Sequence, residues 1–323
     1  MDPNDNNGAE TKPLDFSKTL REAFEENKIQ QYKTDEIELL EELGKGAFGT
    51  VSKGRILKTG EIVAIKCLDQ IDDKKGEEAI KTILNELKAM RRVIHPKIPY
   101  FYGIYQLQQE NNLTIGLIFS FIEGKTLDKY LDENVKKLKN SEKCRLAIQL
   151  VEIIQILHQN RVTHRDIKPG NIMIKPDGDL VLLDFGISKV SECTMAFTNG
   201  VKCTPKYSAP EAFEDCGVED VEYTITPKFD VWSMGCLIIE IFSGVAPWSK
   251  KFNDSNKIMM AMMKKVKYNG LDFPYHRDFD KEYPEVYKIC LNCLVTDIKN
   301  RYTSLELLEK LKELEIVFKN RND

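Results

Sequence analysis

The sequence lacks any uncharged apolar run that approaches the length of a membrane-spanning helix. Residues 1–7 have neither the basic flank nor the apolar core of a secretory signal, and Asp2 does not fit N-terminal myristoylation. These absences predict a chain without a membrane span and with a cytoplasmic location that does not exclude the nucleus.

An excess of positive charge is missing too. Lysine and arginine number 47 against 51 aspartates and glutamates, so the formal net charge is -4 and the isoelectric point is about 5.8. Surfaces that bind nucleic acid usually carry clustered positive charge. We therefore expect no nucleic acid partner, although a local site for a nucleotide is compatible with this balance.

Metal-binding patterns are scarce. The chain has 8 cysteines and 4 histidines, and the pair Cys290 and Cys293 has no second pair and no histidine nearby. A zinc site needs four such ligands. Two buried helix cysteines are the favoured interpretation of this pair, a zinc site is the alternative, and the thiols are expected to be reduced.

The composition that is present, 42% apolar and 30% charged residues, is typical of globular proteins. Strand-like patterns occupy residues 37–67 and two runs near 100–107 and 113–122, with a helical pattern between them at Ala79, Ile83 and Met90. A sheet followed by helices predicts an α+β fold with two lobes. The helices are predicted over residues 126–134, 141–160, 227–243, 255–267, 284–294 and 303–318.

The first 34 residues differ from the rest in composition. Residues 1–13 are too polar to bury, whereas Phe16, Leu20, Phe24 and Ile29 fall near helical spacing and predict an amphipathic helix over about 16–33. The predicted divisions are a tail and helix at 1–34, a folded domain at 35–318 with lobes at about 35–122 and 123–318, and a short tail at 319–323.

Residues 44–49 follow the pattern G-x-G-x-x-G. The pattern alone is weak, because dinucleotide-binding folds use the same spacing in front of a helix and because ordinary turns are rich in glycine. Here strand-like residues continue at 50–52, and a turn follows at Thr59 and Gly60. This context predicts a β-hairpin whose backbone closes over phosphate groups.

Lys66 follows the apolar run 63–65, where an ammonium group needs an anion beside it, and a phosphate is a suitable anion. Glu86 shares a helical face with Ile83 and Met90, which directs it toward the core. The placement favours an ion pair between Lys66 and Glu86, and a solvated helix carboxylate is the alternative for Glu86.

Three further segments are more specific: residues 164–171 read HRDIKPGN, residues 184–186 read DFG, and residues 209–211 read APE. Together with the glycine pattern and Lys66, and in this order, they make the sequence resemble the eukaryotic protein kinase family of the serine/threonine type. The resemblance covers residues 37–318. It implies a two-lobe fold, with a small β-rich lobe carrying one key helix and a large, mainly helical lobe.

By this resemblance the cofactors are ATP and Mg²⁺. Asp184 and Asn171 would hold the magnesium through hard oxygen ligands, and Lys66, paired with Glu86, would contact the α and β phosphates. Phe119 would narrow the pocket behind the adenine. The other residues implied in nucleotide binding are Leu43, Gly44, Gly46, Gly49, Val51, Ala64, Ser120, Ile122 and Met173.

The resemblance also implies how the phosphoryl group reaches a hydroxyl. Asp166 would orient and deprotonate the acceptor hydroxyl, and Lys168 would neutralise the charge of the transferring phosphoryl group. Thr204 would contact both Asp166 and Lys168. Lys168 and residues 204–211 resemble serine/threonine kinases, although Cys203 replaces the usual glycine. The implied reaction transfers the γ-phosphoryl group of ATP to serine or threonine hydroxyls of a protein substrate.

Regulation and scaffold residues are implied in the same way. Arg165 marks family members whose activation segment is ordered by a phosphate, which an upstream activating kinase would add at Thr198, Thr194 or Ser191; a segment that needs no phosphate is the alternative. Asp230 is expected to steady the loop that carries Asp166. Arg301 is expected to pair with Glu211, and a monomer is the default oligomeric state.

Two other functions stay open. A pseudokinase keeps the fold without phosphoryl transfer, but it usually lacks one of four residues that are all present here: Lys66, Asp166, Asn171 and Asp184. A kinase of small molecules or lipids would share the nucleotide-binding lobe, but residues 204–211 resemble a platform that positions peptides. Gly170 stands where many basophilic relatives carry glutamate, so one cue for basic substrates is absent.

Overall fold

The computed structural model describes residues 22–46, 49–67, 84, 87–88, 90–109, 112–183, 206–213, 226–249 and 278–321. The chain divides into two compact units, the first formed by Met1–Leu84 with Tyr102–Ile118 and the second by Asn85–Phe101 with Phe119–Asp323. The first unit is built on a sheet and the second mainly on helices. The predicted α+β class is confirmed.

A six-stranded sheet with the order β1-β5-β6-β4-β3-β2 dominates the first unit. Strands β2, β3 and β4 form an antiparallel meander, whereas β1 runs parallel to β5. The strands predicted between residues 37 and 122 are thereby confirmed. Their bounds are Gln31–Tyr32 for β1, Ile37–Gly46 for β2, Gly49–Ile56 for β3, Ile62–Cys67 for β4, Phe101–Gln109 for β5 and Asn112–Ser120 for β6.

Strand β4 shows how the sheet separates its core from its other face. Val63 and Ile65 are fully buried and pack in a cluster that includes Ile37 and Tyr105. Because successive side chains of a strand point to opposite faces, Ala64 and Lys66 lie together on the face away from this cluster. Lys66 is nevertheless buried, with 7% of its surface exposed.

The amphipathic helix predicted over residues 16–33 is wrong in its C-terminal part. Residues 22–26 are helical, with Phe24 fully buried, but the helix stops where Lys28 adopts a left-handed backbone with φ of 52°. Gln31 and Tyr32 then pair with β5, and the preceding Gln30 carbonyl accepts a hydrogen bond from the Ile104 N–H at 2.9 Å. A tertiary partner thus replaces the helix with a strand; residues 1–21 lie outside the described part.

Helices form most of the second unit. Five of the predicted helices are confirmed to within about two residues at each end except the last, which runs on to Arg321, while the one predicted at 255–267 lies outside the described residues. In the helix predicted before residue 91, the described residues Leu84, Leu87, Lys88 and Met90 are helical. The bounds are Leu127–Asn134 for α1, Asn140–Gln159 for α2, Lys228–Ser243 for α3, Phe279–Glu282 for α4, Pro284–Cys293 for α5 and Ser304–Arg321 for α6.

A small sheet with the order β7-β8-β9 accompanies these helices. Its strands are Lys125–Thr126, Ile172–Ile174 and Leu180–Leu182, paired antiparallel. The apolar run at 180–183 in front of the DFG segment is typical of a strand and contains β9, whereas β7 and β8 were not predicted. Strand β8 begins directly after the HRDIKPGN segment and pairs with β9, so the sheet holds the end of that segment.

Helix α3 is the centre of the second unit. Nearly all of its residues are buried, and it packs against α2 and α5. Cys290 and Cys293 are buried on α5, and burial raises the pKa of the Cys293 thiol to about 12. The prediction of buried helix cysteines is confirmed. Among the described residues, no helix has the length and apolar character needed to cross a membrane.

Candidate active site

The loop between α2 and β8 carries the most specific sequence motif. Arg165 in this loop has a left-handed backbone with φ of 68°. Residues other than glycine adopt this conformation at a cost of about 1–2 kcal/mol. The loop then closes with a 3₁₀ turn at Pro169–Asn171. A conformation of this kind persists only where surrounding contacts hold it.

Asp230 supplies those contacts from the first turn of α3. Its Oδ2 accepts the backbone N–H of His164 at 2.8 Å, and its Oδ1 accepts that of Arg165 at 2.8 Å. The carboxylate is fully buried. Burial alone would raise its pKa, but the hydrogen bonds that the carboxylate accepts from His158 and from the Arg165 N–H favour its charged form and outweigh burial, so the pKa of Asp230 is lowered. The expectation that Asp230 steadies the loop is confirmed.

Asp166, Lys168 and Asn171 form a single hydrogen-bonded cluster. Asp166 Oδ2 accepts the Lys168 ammonium at 2.9 Å and the Asn171 amide at 3.1 Å, and the same Asn171 Nδ2 donates to the Asp166 carbonyl at 2.8 Å. Asp166 is buried, with 9% of its surface exposed. The arrangement holds one carboxylate beside one cation, with its orientation fixed from two sides.

His164 ties this cluster to the end of β9. Its Nδ1 lies 3.3 Å from the Asp166 N–H, and its Nε2 lies 3.3 Å from the Leu183 carbonyl. The Leu183 N–H in turn donates to the Asn171 carbonyl at 2.7 Å. The residue that precedes Asp184 is therefore fixed to the loop; Asp184 itself lies outside the described residues.

The glycine-rich segment forms the predicted hairpin. Strand β2 ends at Gly46, β3 begins at Gly49, and these two glycines lie opposite each other in the register. No helix follows, so the dinucleotide-binding alternative is excluded. Strand β3 then pairs with β4, which places Val51 opposite Lys66. Glu86 lies outside the described residues, so its ion pair with Lys66 stays a prediction.

The end of β6 is held by residues at and just before the start of the neighbouring strand β5. The Ser120 N–H donates to the Tyr100 carbonyl at 2.9 Å, and the Tyr100 N–H donates to Ser120 Oγ at 3.0 Å. The ring of Phe119 packs at 5.5 Å, centroid to centroid, from that of Phe101. These contacts fix the strand end from which Ile122 follows.

The predicted site residues thus fall into two groups. The first unit carries Leu43, Gly44, Gly46, Gly49, Val51, Ala64 and Lys66, and the second carries Phe119, Ser120, Ile122, Asp166, Lys168, Asn171 and Met173. Within the second unit, the structure brings Asp166, Lys168 and Asn171 into contact. Glu86, Asp184 and Thr204 lie outside the described residues, as do Ser191, Thr194 and Thr198.

The APE segment is anchored by an ion pair. The Arg301 guanidinium donates to both carboxylate oxygens of Glu211, at 2.6 and 2.9 Å. The Arg301 side chain is fully buried, and it also donates to the carbonyls of Val295 and Lys228. The predicted pair is confirmed, and it joins the 3₁₀ turn Pro210–Phe213 to the end of the helical core.

Two buried contacts of the second unit were not predicted from the sequence. One joins His158 to both Asp230 and Ser304, and the other joins Tyr207 to Glu240. Glu240 could have been suspected, because it is the only charged residue between positions 231 and 243. The His158 contact had no local signal, since its partners lie 72 and 146 residues away.

Glu240 is a carboxyl group buried against the segment that precedes APE. The Tyr207 hydroxyl donates to Glu240 Oε2 at 2.6 Å, and Ser233 Oγ donates to the Tyr207 carbonyl at 2.8 Å. Burial raises the pKa of Glu240 to about 7, with a further rise from Asp128 and Asp132, and the hydrogen bond from Tyr207 opposes the rise. The folded protein therefore keeps a proton that the unfolded chain releases near pH 4.5.

Glu240→Gln is expected to be more favourable to stability, relative to the native chain, at pH 8 than at pH 5. A pKa raised on folding gives stability that is present below the unfolded pKa and is lost as pH rises through the folded pKa, and glutamine has no proton to lose. We expect the difference in free energy of unfolding between variant and native chain to change by about 2 kcal/mol between these pH values. Urea denaturation at both pH values measures it.

The matched control for this prediction is Glu285→Gln. The pKa of Glu285 is lowered, chiefly by a hydrogen bond from its own backbone, with Arg321 adding to the effect. Its substitution should therefore give no gain at pH 8. An identical effect of Glu240→Gln at pH 5 and pH 8 would contradict a raised pKa at Glu240.

Comparison with known proteins gives one consistent result. The protein kinase domain model matches residues 37–311. The chain is 31% identical over 274 residues to the serine/threonine-protein kinase chk-2 of Caenorhabditis elegans, which covers 82% of this chain and 54% of the relative.

Two other relatives are matched over a smaller share of their length. The chain is 30% identical over 210 residues to serine/threonine-protein kinase 36 of Pongo abelii, with 65% of this chain and 15% of the relative covered. It is 31% identical over 218 residues to the mitogen-activated protein kinase kinase kinase ANP1 of Arabidopsis thaliana, with 66% and 31% covered. The matched region thus spans 15% to 54% of the length of these relatives.

Proposed function

The chain belongs to the protein kinase domain family, and from this membership we propose that it is a serine/threonine kinase that transfers the γ-phosphoryl group of ATP to protein hydroxyls. The observation that carries the proposal is the cluster of Asp166, Lys168 and Asn171. It holds a carboxylate, a cation and an amide in one place, which are the groups that phosphoryl transfer to a hydroxyl requires.

Each member of the cluster has a distinct role in this proposal. Asp166 orients the acceptor hydroxyl and accepts its proton. Lys168, 2.9 Å from Asp166 Oδ2, neutralises negative charge on the transferring group. Lysine two residues after the catalytic aspartate, together with relatives named as serine/threonine kinases, supports serine or threonine as the acceptor.

The residues present fit a bound magnesium nucleotide, which members of this family use. Asn171 Nδ2 donates twice to Asp166, so its amide oxygen is the atom left to ligate a hard cation such as Mg²⁺. Lys66 is a buried ammonium on a strand next to the glycine-rich hairpin, and a phosphate is a suitable anion for it. The bound metal would supply charge neutralisation at the phosphates.

Several finer assignments remain part of the proposal. Protein substrates follow from the family, whereas activation by an upstream kinase at Thr198, Thr194 or Ser191 rests on Arg165 and the family pattern. The ion pair of Glu86 with Lys66, the magnesium contact of Asp184 and the contacts of Thr204 with Asp166 and Lys168 also stay predictions. So do the monomeric state and the cytoplasmic location.

The test is phosphoryl transfer from ATP labelled in the γ position to a mixture of serine-, threonine- and tyrosine-bearing peptides, with acceptors mapped by mass spectrometry. We expect transfer to serine and threonine that disappears when Mg²⁺ is chelated. Nucleotide binding without transfer, even after treatment with an activating kinase, would support the pseudokinase alternative. Transfer confined to tyrosine, or to small molecules, would also overturn the proposal.

A further inference from the structure

His158 lies between two buried side chains from distant parts of the sequence. Its Nε2 is 2.9 Å from Asp230 Oδ2, and its Nδ1 is 2.9 Å from Ser304 Oγ, at the first residue of α6. The side chains of His158 and Asp230 are 8% and 0% exposed, and Ser304 is 6% exposed. The contacts are therefore made away from water, where hydrogen bonds hold their geometry well.

In a neutral histidine ring one nitrogen carries the proton and donates, and the other nitrogen accepts. Nε2 faces a carboxylate oxygen, which only accepts hydrogen bonds, so Nε2 must be the donor. Nδ1 is then the acceptor, and the Ser304 hydroxyl is the group that donates to it. Ser304 thereby stabilises the tautomer and the ring orientation that allow His158 to donate to Asp230.

Asp230 connects His158 to the loop of the candidate active site through hydrogen bonds. The Oδ2 that receives the His158 hydrogen bond also accepts the His164 N–H, and Oδ1 accepts the N–H of Arg165, whose φ is 68°. A carboxylate that rotated about its terminal bond would lose one of these two amides. Asp166 follows directly, so the position of its carboxylate depends on this turn.

We propose that Ser304 is a positioning residue for the active-site loop, acting through His158 and Asp230. The inference rests on the proposed kinase function, since it concerns the placement of Asp166. Within the part of the chain that the structure describes, the Ser304 hydroxyl contacts His158 and none of the residues assigned to phosphoryl transfer. It links the start of the C-terminal helix α6 to the turn that holds the proposed base.

A purely structural role in starting α6 is the competing explanation, and the neighbouring residue argues against it. Thr303 already makes the contacts of a helix N-cap: its N–H and hydroxyl donate to Glu306 Oε2 at 2.7 and 2.8 Å, and its Oγ1 accepts the Glu306 N–H at 3.2 Å. The Ser304 hydroxyl instead faces His158. Thr303→Ala is therefore a matched control that weakens the same helix end without touching the histidine.

The kinetic test compares the native chain, Ser304→Ala and Thr303→Ala at a temperature where all three are folded. We expect Ser304→Ala to lower kcat about fivefold, the effect of one ordinary hydrogen bond, with the KM for ATP unchanged. Thr303→Ala should lower the Tm and keep the native kcat. A native kcat in Ser304→Ala, or an equal loss in Thr303→Ala, would overturn the inference.

A second measurement reads the ring directly. The chain has 4 histidines, so ¹⁵N-labelled histidine gives few signals, and His158→Gln identifies that of His158. We expect a single tautomer protonated at Nε2 in the native chain and in Thr303→Ala, and a changed His158 signal in Ser304→Ala. An unchanged signal would overturn the link. A native chain that transfers no phosphate would defeat the proposed function, while these signals would still decide whether Ser304 controls the ring.

Discussion

Asp166→Asn is expected to lower kcat by about 10²–10⁴-fold, the usual contribution of a general base. The carboxylate accepts Lys168 at 2.9 Å and Asn171 at 3.1 Å, and an asparagine oxygen can keep such contacts. Asparagine cannot accept a proton from the acceptor hydroxyl, however. The substitution therefore removes one chemical capacity and leaves the shape of the site nearly intact.

The measurement is the initial rate of transfer to a serine peptide under saturating ATP and Mg²⁺, with ATP affinity measured separately. Asp177→Asn is the matched control, because it makes the same charge change at an exposed carboxylate on the turn between β8 and β9, where Asp177 pairs with Lys175. We expect native activity in the control and nearly native ATP affinity in both variants. Native kcat in Asp166→Asn would remove Asp166 from the role of base.

The elements that the sequence predicted well are those whose signal is local. In β4, the apolar run of residues 63–65 after the turn at Thr59 and Gly60 is typical of a strand, and both Val63 and Ile65 are fully buried. The helices predicted before and after Gly124 were likewise recognised from apolar residues at helical spacing within short stretches of sequence. The glycines of residues 44–49 needed only the strand that follows them to be read as a hairpin.

Elements decided by distant partners were missed. Gln31 and Tyr32 carry no strong strand signal, and they become a strand because β5 lies beside them with Ile104 and Tyr105 in register. The two-residue strand β7 exists only through its pairing with β8. Neither pairing can be read from a short window of sequence, because the energy that decides it comes from hydrogen bonds across the fold.

The candidate site divides along the same line. Asp166, Lys168 and Asn171 lie within six residues, so their contact could be expected from the motif, and so could the pairing of Glu211 with Arg301 through the family resemblance. The contacts that support the motif from distant parts of the chain could not be predicted. Ser304 reaches His158 across 146 positions, and only the folded helices bring the two together.

Arg301→Met is expected to lower the free energy of unfolding by about 3–5 kcal/mol, because removal of one partner leaves a largely buried charge without its counterion. The Arg301 side chain is 0% exposed and that of Glu211 is 12% exposed. The substitution also removes two hydrogen bonds to the carbonyls of Val295 and Lys228, and the contact of the guanidinium with the Trp232 ring at 5.2 Å. Urea denaturation measures the loss.

Arg321→Met provides the comparison, since Arg321 pairs with Glu285 at 3.0 Å on the surface, where the two side chains are 53% and 34% exposed. Exposed pairs contribute about 0–1 kcal/mol, so this variant should unfold almost like the native chain. Adding Glu211→Leu to Arg301→Met should recover part of the stability, because no unpaired charge remains. If Arg301→Met cost no more than Arg321→Met, the buried pair would not be what holds the APE turn to the helical core.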